Sequence, residues 1–425
     1  MRFQTLADWL VWQEGLHPKS IDLGLGRVGK VYRTLGISGK RPITLTIGGT
    51  NGKGSCVAML DAILRAEGYR VGTYTSPHLL SYNERIKING VPMDDDAICE
   101  SFGRIDAARG DITLSFFEFG TLAALDIFSR ADLDVQILEV GLGGRLDAVN
   151  LIDADAAMIA SIDIDHQDWL GNSRAQIALE KAGIFRSGTP AIVGDPDPPS
   201  SLLDFAGAQG IRLLCQQRDF GFEKVAERWR WYGDGDSVGD LPFPALRGDH
   251  QFLNASAGIQ VLRSIRQKLP VSDSSIRRGL ESVRLTGRFQ LIDSGPVPTL
   301  LDVAHNPQSV QVLASFLQQE FAGKRIHAVF AVMRDKDIEG VLRPIKDLIS
   351  RWYLAPLSIS RAAPEENLLK VFGDLSVAPV EHGFPGSASA FAAAFANAQN
   401  VDLVVIFGSF FLVSEYLAQQ AYDLR

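Results

Sequence analysis

The chain has 425 residues, 46% of them hydrophobic and 22% charged, an ordinary globular composition with enough length for two or three domains. Its net charge of −8 argues against a nucleic-acid binder that works through a broad basic face, while leaving room for a locally basic pocket around a small anion. Cys56, Cys99 and Cys215 form no C-x-x-C pair, which argues against a thiolate zinc site and suits a reducing cytoplasmic setting.

The N-terminal stretch MRFQTLADWLVWQEG places Asp8 and Glu14 within its apolar run, so it reads as an amphipathic helix rather than a signal peptide. Residues 42–48 read as a short strand that ends in glycines. Residues 53–66 follow as a helix with Val57, Leu60, Ile63 and Leu64 on one face. Between them lies TIGGTNGKGS, residues 46–55. A Gly-rich turn between a strand and a helix N-terminus can surround phosphate oxygens with N–H groups, and Lys53 adds a positive charge. The competing reading is a plain Gly-rich turn. The loop also departs from the common G-x-x-x-x-G-K-[ST] pattern, because Gly54 stands where a metal-binding hydroxyl is usual. If the loop holds ATP, the metal's ligands must come from elsewhere.

Residues 71–74 are a further short strand, followed by Thr75-Ser-Pro-His-Leu79. Residues 121–128 read as helix, and DVQILEV at 134–140 as a buried parallel strand that leads into GLGGR at 141–145. Residues 156–162 are another strand, continuing into DIDHQD at 163–168, and residues 174–182 read as a helix that carries Glu180 and Lys181. The segment 219–246, with Trp229, Trp231 and Tyr232 among Gly and Asp, reads as a small β excursion. Around residues 286–298 the sequence becomes turn-rich, and after it the alternation restarts. Strands are expected at 299–303, 326–332 and 403–407, and helices at 307–321 and 388–398. The longest apolar run, 403–413, contains Gly408 and Ser409 and is too short to span a bilayer, so no membrane association is expected.

This pattern predicts an α/β protein with two domains. The N-terminal domain, 1–287, is a P-loop-type ATPase fold on a mostly parallel sheet. A linker at 288–295 leads to a smaller Rossmann-like domain at 296–425. Functional residues should then gather at the C-terminal ends of the strands. Ser76, Glu139 and His166 each follow such a strand. Hydroxyl, carboxylate and imidazole with water can hold Mg2+ beside nucleotide phosphates. Each also has a plain alternative: Glu139 can pair with Arg145, and His166 can cap a helix. Lys181, read from its neighbours alone, is a solvated lysine.

In order along the chain stand HPKSIDLGLGRV at 17–28, GTNGKGS at 49–55, TSPHL at 75–79, NERIKINGVPM at 83–93, FFEFGTLAAL at 116–125, LEVGLGGRLDAVN at 138–150, DHQDWLG at 165–171, EKAGIFRS at 180–187, GRFQ at 287–290, DVAHNP at 302–307 and DKDIEG at 335–340. With these segments the chain resembles the bacterial dihydrofolate synthase/folylpolyglutamate synthases, a folate branch of the Mur-ligase superfamily, over nearly its whole length. The resemblance implies a cytoplasmic, monomeric ligase. Such an enzyme uses ATP and two Mg2+ ions to add L-glutamate to dihydropteroate and to reduced folates through an acyl phosphate. It implies an ATP loop of Thr50, Asn51, Gly52, Lys53, Gly54 and Ser55, with further nucleotide contacts from Asn254, Arg288 and Asp302. Ser76 and Glu139 would ligate one Mg2+ and His166 the second, so the metal's hydroxyl comes from the TSPHL segment and Gly54 is tolerated. Lys181 matches a carbamoylated lysine. The pterin-substrate segments are Asp22, Leu23 and Gly24, then Ser115, Phe116, Phe117 and Glu118, then Leu146, Asp147 and Ala148. Thr286 and Gln167 depart from residues frequent in the family, and neither removes a catalytic group. Rivals are a polyglutamylating enzyme without dihydropteroate activity, a peptidoglycan amino-acid ligase, and a silent nucleotide-binding regulator.

Overall fold

Strand-forming runs rich in Val, Ile and Leu alternate with helices through most of the chain, and they assemble into two sheets. The computed structural model describes residues 2–37 and 41–423. Contacts divide it into two compact units, residues 1–245 with 251–283, and residues 246–250 with 284–425.

The first unit contains β1 (Ile43–Gly48), β2 (Val71–Tyr74), β3 (Ile86–Ile88), β4 (Val91–Pro92), β5 (Val135–Glu139), β6 (Ala156–Ile159), β7 (Ala191–Val193) and β8 (Leu213–Cys215). They form one sheet in the order β4-β3-β2-β5-β1-β6-β7-β8. Six strands run parallel, and the β3–β4 ribbon adds antiparallel to β2. All five residues of β5 are buried, including the polar Gln136 and Glu139, as expected of a parallel strand covered on both faces. In register, Ile47 lies opposite Glu139 and Gly48 opposite Ile159, so the ends of β1, β5 and β6 are level.

The helix Leu6–Leu16 starts with Thr5 capping Asp8 and buries Leu6, Trp9 and Gln13, spaced for one helical face. Trp9 lies against Phe102 and Phe119, from the helices Asp95–Arg109 and Phe116–Arg130. The expected β excursion is a three-stranded antiparallel sheet of β9 (Phe220–Val225), β10 (Arg228–Gly233) and β11 (Asp236–Pro242). Trp229 and Trp231 are buried there, while Tyr232 on the alternate face is exposed.

The second unit carries β12 (Gln290–Ile292), β13 (Thr299–Leu301), β14 (Ile326–Phe330), β15 (Arg351–Leu354), β16 (Val380–Glu381) and β17 (Leu403–Phe407), in the order β12-β13-β17-β14-β15-β16. All neighbours are parallel except β12 and β13. The stretch 288–295, expected as a linker, therefore contains an edge strand; backbone pairing of Gln290 with Leu301 and Ile292 with Thr299 fastens it to the sheet. Phe330, Trp352, Phe372 and Phe407 are fully or almost fully buried and pack edge-on or tilted against one another. Among the described residues no helix is long and apolar enough to cross a membrane.

His250 gives the second unit a pH-dependent stability. Its ring meets Phe289 edge-on at 5.2 Å. Burial, with the Arg288 charge acting in the same direction and Asp249 against it, pushes its pKa down to about 4. The folded state refuses a proton that the unfolded chain accepts below about 6.5, so this stabilisation is complete above that pH and is lost as pH falls toward 4. The full difference is worth about 3 kcal/mol. Unfolding free energies measured between pH 7 and pH 4 should therefore fall less steeply in His250→Gln than in wild type. Parallel curves would assign the acid sensitivity elsewhere.

Candidate functional site

The phosphate-loop candidate leaves β1 at Gly48 and enters the helix Lys53–Glu67 at Lys53. Gly52 sits at φ 83°, a left-handed conformation that favours glycine, and a Cβ there would come within 2.7 Å of the Asn254 side-chain oxygen. The loop is pinned to the segment after β6. Thr50 N–H donates to the Ser161 carbonyl at 2.8 Å, and its hydroxyl exchanges hydrogen bonds with the Asp163 backbone at 3.0 Å. Asn51 N–H donates to the Ser161 hydroxyl at 2.9 Å. The Lys53 ammonium folds over its own loop, donating to the carbonyls of Gly49 at 2.9 Å and Thr50 at 3.1 Å. Ser55 is buried one turn further on, where its hydroxyl accepts from Gln251 at 3.4 Å, and Gln251 in turn accepts from Asn254 at 3.0 Å. Gln251 was not anticipated from sequence, and nothing about its neighbours marks it out.

Ser76, after β2, is joined directly to Glu139, the last residue of β5: Ser76 N–H donates to Glu139 Oε2 at 3.1 Å. The pairing of Glu139 with Arg145, left open by the sequence, is not the arrangement found. The Arg145 guanidinium instead donates to Glu180 at 2.8 Å, and Arg145 N–H to the Glu180 carbonyl at 2.8 Å. The sequence offered no reason to prefer a partner 35 residues away. His166 stands after β6 at the N-cap position of a short helix, Gln167–Leu170, in left-handed backbone geometry, and its side chain makes no capping hydrogen bond to that helix.

Lys181 is not the solvated lysine that its neighbours suggest. It lies near the end of the helix Arg174–Ala182 and is 3% exposed. Burial, reinforced by the Lys53 charge and opposed by Asp165 and Asp147, lowers its pKa to about 7. The GLGGR turn is braced against this helix. Asn150 donates to the carbonyls of both Arg145 and Gly183 at 3.0 Å, and a Cβ on Gly144 would lie 2.9 Å from the Lys181 carbonyl. Asp147 is also buried, and burial raises its carboxyl to about 7 although it accepts N–H groups of Leu142 at 2.8 Å and Val149 at 3.0 Å. It thus shapes the loop that contains Leu146 and Ala148.

The three segments that the resemblance implies for the pterin substrate meet in the first unit. Gly24 N–H donates to the Leu146 carbonyl at 3.1 Å. Arg27 donates to both the Asp22 carboxylate and Glu118 Oε1. Ser115 and Glu118 form a reciprocal capping box at the start of the helix Phe116–Arg130. The Phe117 ring packs so closely on Gly141 that a Cβ there would overlap it.

Arg288 and Asp302 lie in the second unit. The buried Asp302 carboxylate accepts the N–H groups of Phe289 at 3.0 Å and Ala304 at 2.8 Å. Burial raises its pKa, against the lowering influence of Arg288. The Arg288 guanidinium stands 4.9 Å from the centre of the Phe410 ring.

Among the described residues no three His, Cys, Asp or Glu side chains are grouped to hold a metal. The Ser76–Glu139 pair still supplies hydroxyl and carboxylate oxygen, the donor chemistry of Mg2+ sites that complete their shell with water and phosphate. A divalent ion with nucleotide phosphates therefore fits these residues.

Residues 287–410 match the family model of the Mur ligase glutamate ligase domain. The chain is 42% identical to the dihydrofolate synthase/folylpolyglutamate synthase of Escherichia coli (strain K12), covering 97% of this chain and 94% of that one. The solved structure of E. coli FolC in complex with DHPP and ADP superimposes with a TM-score of 0.93 at 41% identity over 99% of both chains. A bifunctional folylpolyglutamate synthase/dihydrofolate synthase with Mn, AMPPNP and L-glutamate bound is 41% identical and gives a TM-score of 0.90 over 98% of both chains.

Proposed function

We propose, given that the chain belongs to the dihydrofolate synthase/folylpolyglutamate synthase family, that it joins L-glutamate to dihydropteroate and then to reduced folates at the expense of ATP. A carboxylate is a poor acyl donor because its leaving group would be oxide. Transfer of the γ-phosphoryl group of ATP converts it to an acyl phosphate, whose phosphate the amine of glutamate then displaces. In this reading Lys53 and the N–H groups of Thr50 to Ser55 hold the phosphates at a helix N-terminus. Ser76 and Glu139 would hold one divalent ion and His166 a second, and these ions supply charge neutralisation on the phosphates. Lys181, as a carbamate, is assigned to the same metal shell. Asn254, Arg288 and Asp302 are assigned to the nucleotide. Asp22 to Gly24, Ser115 to Glu118 and Leu146 to Ala148 are assigned to the pteroyl group. The buried, free Cys56, Cys99 and Cys215 support a cytoplasmic location.

One observation carries this reading. The phosphate loop, the Ser76–Glu139 contact and the loop after β6 lie together at the C-terminal edge of one parallel sheet, with the buried Lys181 within electrostatic reach of Lys53. With dihydropteroate as the acceptor, purified protein should release phosphate from ATP only when L-glutamate is present as well. A preparation that extends tetrahydrofolate but never consumes dihydropteroate would reduce the activity to polyglutamylation alone.

A further inference from the structure

We infer that His17 and Arg27 are positioning residues for the pteroyl substrate, holding the segment around Asp22 and the segment 113–118 in one fixed arrangement. The inference rests on the proposed function and assigns roles to two residues outside the substrate-binding segments themselves.

The observation is a double tie through one carboxylate. Asp22 Oδ2 receives His17 Nε2 at 3.1 Å from one side and the Arg27 guanidinium from the other. Each partner then reaches the same second segment. His17 Nδ1 is 2.8 Å from the Thr113 hydroxyl, and Arg27 Nη2 donates to Glu118 Oε1 at 3.1 Å and to the Asp22 carbonyl at 2.8 Å. Residues 91 and 96 positions apart in sequence are thereby held in register.

The chemistry of each atom is determined by its partners. A carboxylate only accepts, so His17 Nε2 carries a proton toward Asp22, while Nδ1 shares a hydrogen bond with the Thr113 hydroxyl. Burial is the largest single influence and raises the Asp22 carboxyl, but the hydrogen bond from His17 and the charges of Arg27 and Lys19 together outweigh it and hold the group below the usual carboxylate range. Lys19 is mostly exposed and stands 3.6 Å from Oδ1, so it contributes little fixed geometry. Glu118 is nearly buried, and both of its oxygens are engaged, one by Arg27 and one by Ser115 N–H at 2.8 Å. Among the described residues Arg27 is thus the cation that bridges Asp22 and Glu118. Without it the Asp22 and Glu118 carboxylates would lose the cation they share, and the two segments a tie between them. Planar guanidinium geometry lets a single side chain serve both, which a lysine ammonium does less well.

A purely structural tie would lower thermal stability and disturb every substrate alike. A positioning role predicts a selective effect. Arg27→Ala should raise the KM for dihydropteroate at least tenfold, with the KM for ATP changed less than twofold and kcat at saturation largely kept. Arg27→Lys should recover part of the loss. His17→Gln, which retains a donor but not the ring's span, should raise the same KM by a smaller factor. The two changes combined should be non-additive, because both act through Asp22. Steady-state kinetics on the full chain, with melting temperatures alongside, read all of this, and Arg27→Lys and His17→Gln carry the test if Arg27→Ala does not fold. An unchanged dihydropteroate KM in folded variants, or equal increases in the KM for dihydropteroate and ATP, overturns the inference while leaving the function intact. A wild-type chain that never uses dihydropteroate reduces the function to polyglutamylation and overturns the inference with it.

Discussion

Lys53→Ala lowers kcat by about 10²- to 10³-fold, on the scale of removing one preorganised donor from a developing negative charge. The side chain now rests on the carbonyls of Gly49 and Thr50, two hydrogen bonds that a neighbouring phosphate would compete for without any change of backbone. Those bonds join groups that remain partly exposed, so their loss leaves the melting temperature nearly unchanged. A second effect adds to the first. After burial, the Lys53 charge is what holds the Lys181 pKa down, against Asp165 and Asp147. Removing it raises the Lys181 pKa and leaves less neutral amine at pH 7. Lys53→Ala should therefore shift the pH–rate profile toward higher pH as well as lower its maximum. Wild-type turnover in a folded Lys53→Ala protein would reject the phosphate-loop role.

Lys181→Ala is expected to cost about as much, 10²-fold or more in kcat, because it removes an anionic ligand that we assign to the metal shell. An ordinary lysine at its usual value of 10.5 is almost wholly protonated at neutral pH. Lys181, pushed to about 7 by burial and by Lys53, is divided between ammonium and amine. In the proposed assignment the neutral amine would add CO2 and lose one proton, turning a cation into a carbamate with two oxygens suited to Mg2+. The proton is lost as pH rises through about 7, and the carbamate and the activity should increase in that direction. Lys181→Arg should fail as well, since a guanidinium stays charged. A small carboxylate such as acetate should restore part of the activity of Lys181→Ala by occupying the vacated space. The deciding observation is electron density at Nζ of Lys181 in crystals of active enzyme with metal bound. A bare amine there would show the assignment to be wrong.

The sequence by itself determined the elements whose signal is local. The β1–loop–helix unit, the DVQILEV strand and the helix Arg174–Ala182 are legible because their apolar residues recur at the period of the structure they form. The ordered series of short segments pointed to the family, because each keeps its residue types and its place in the order. Several strands of two to four residues left no such trace, although β2, β6 and β13, equally short, could be read. β3, β4, β7, β8, β15 and β16 are too short for a period to show, and the edge strand β12 lies in a turn-rich stretch whose composition suggested a linker.

Only the tertiary structure decided what each charged group does. Lys181 looks like a surface residue in its local sequence, yet packing buries it, as it buries Asp147, and moves both pKa values to about 7. Arg145 has Glu139 six residues away but binds Glu180, because the GLGGR turn docks on the helix that bears Lys181. Asp22 and Glu118 become one charge network through Arg27 only once distant segments are brought together. Burial and ion-pair partners are properties of the packed chain, set by contacts between residues far apart in sequence, and no local pattern encodes them.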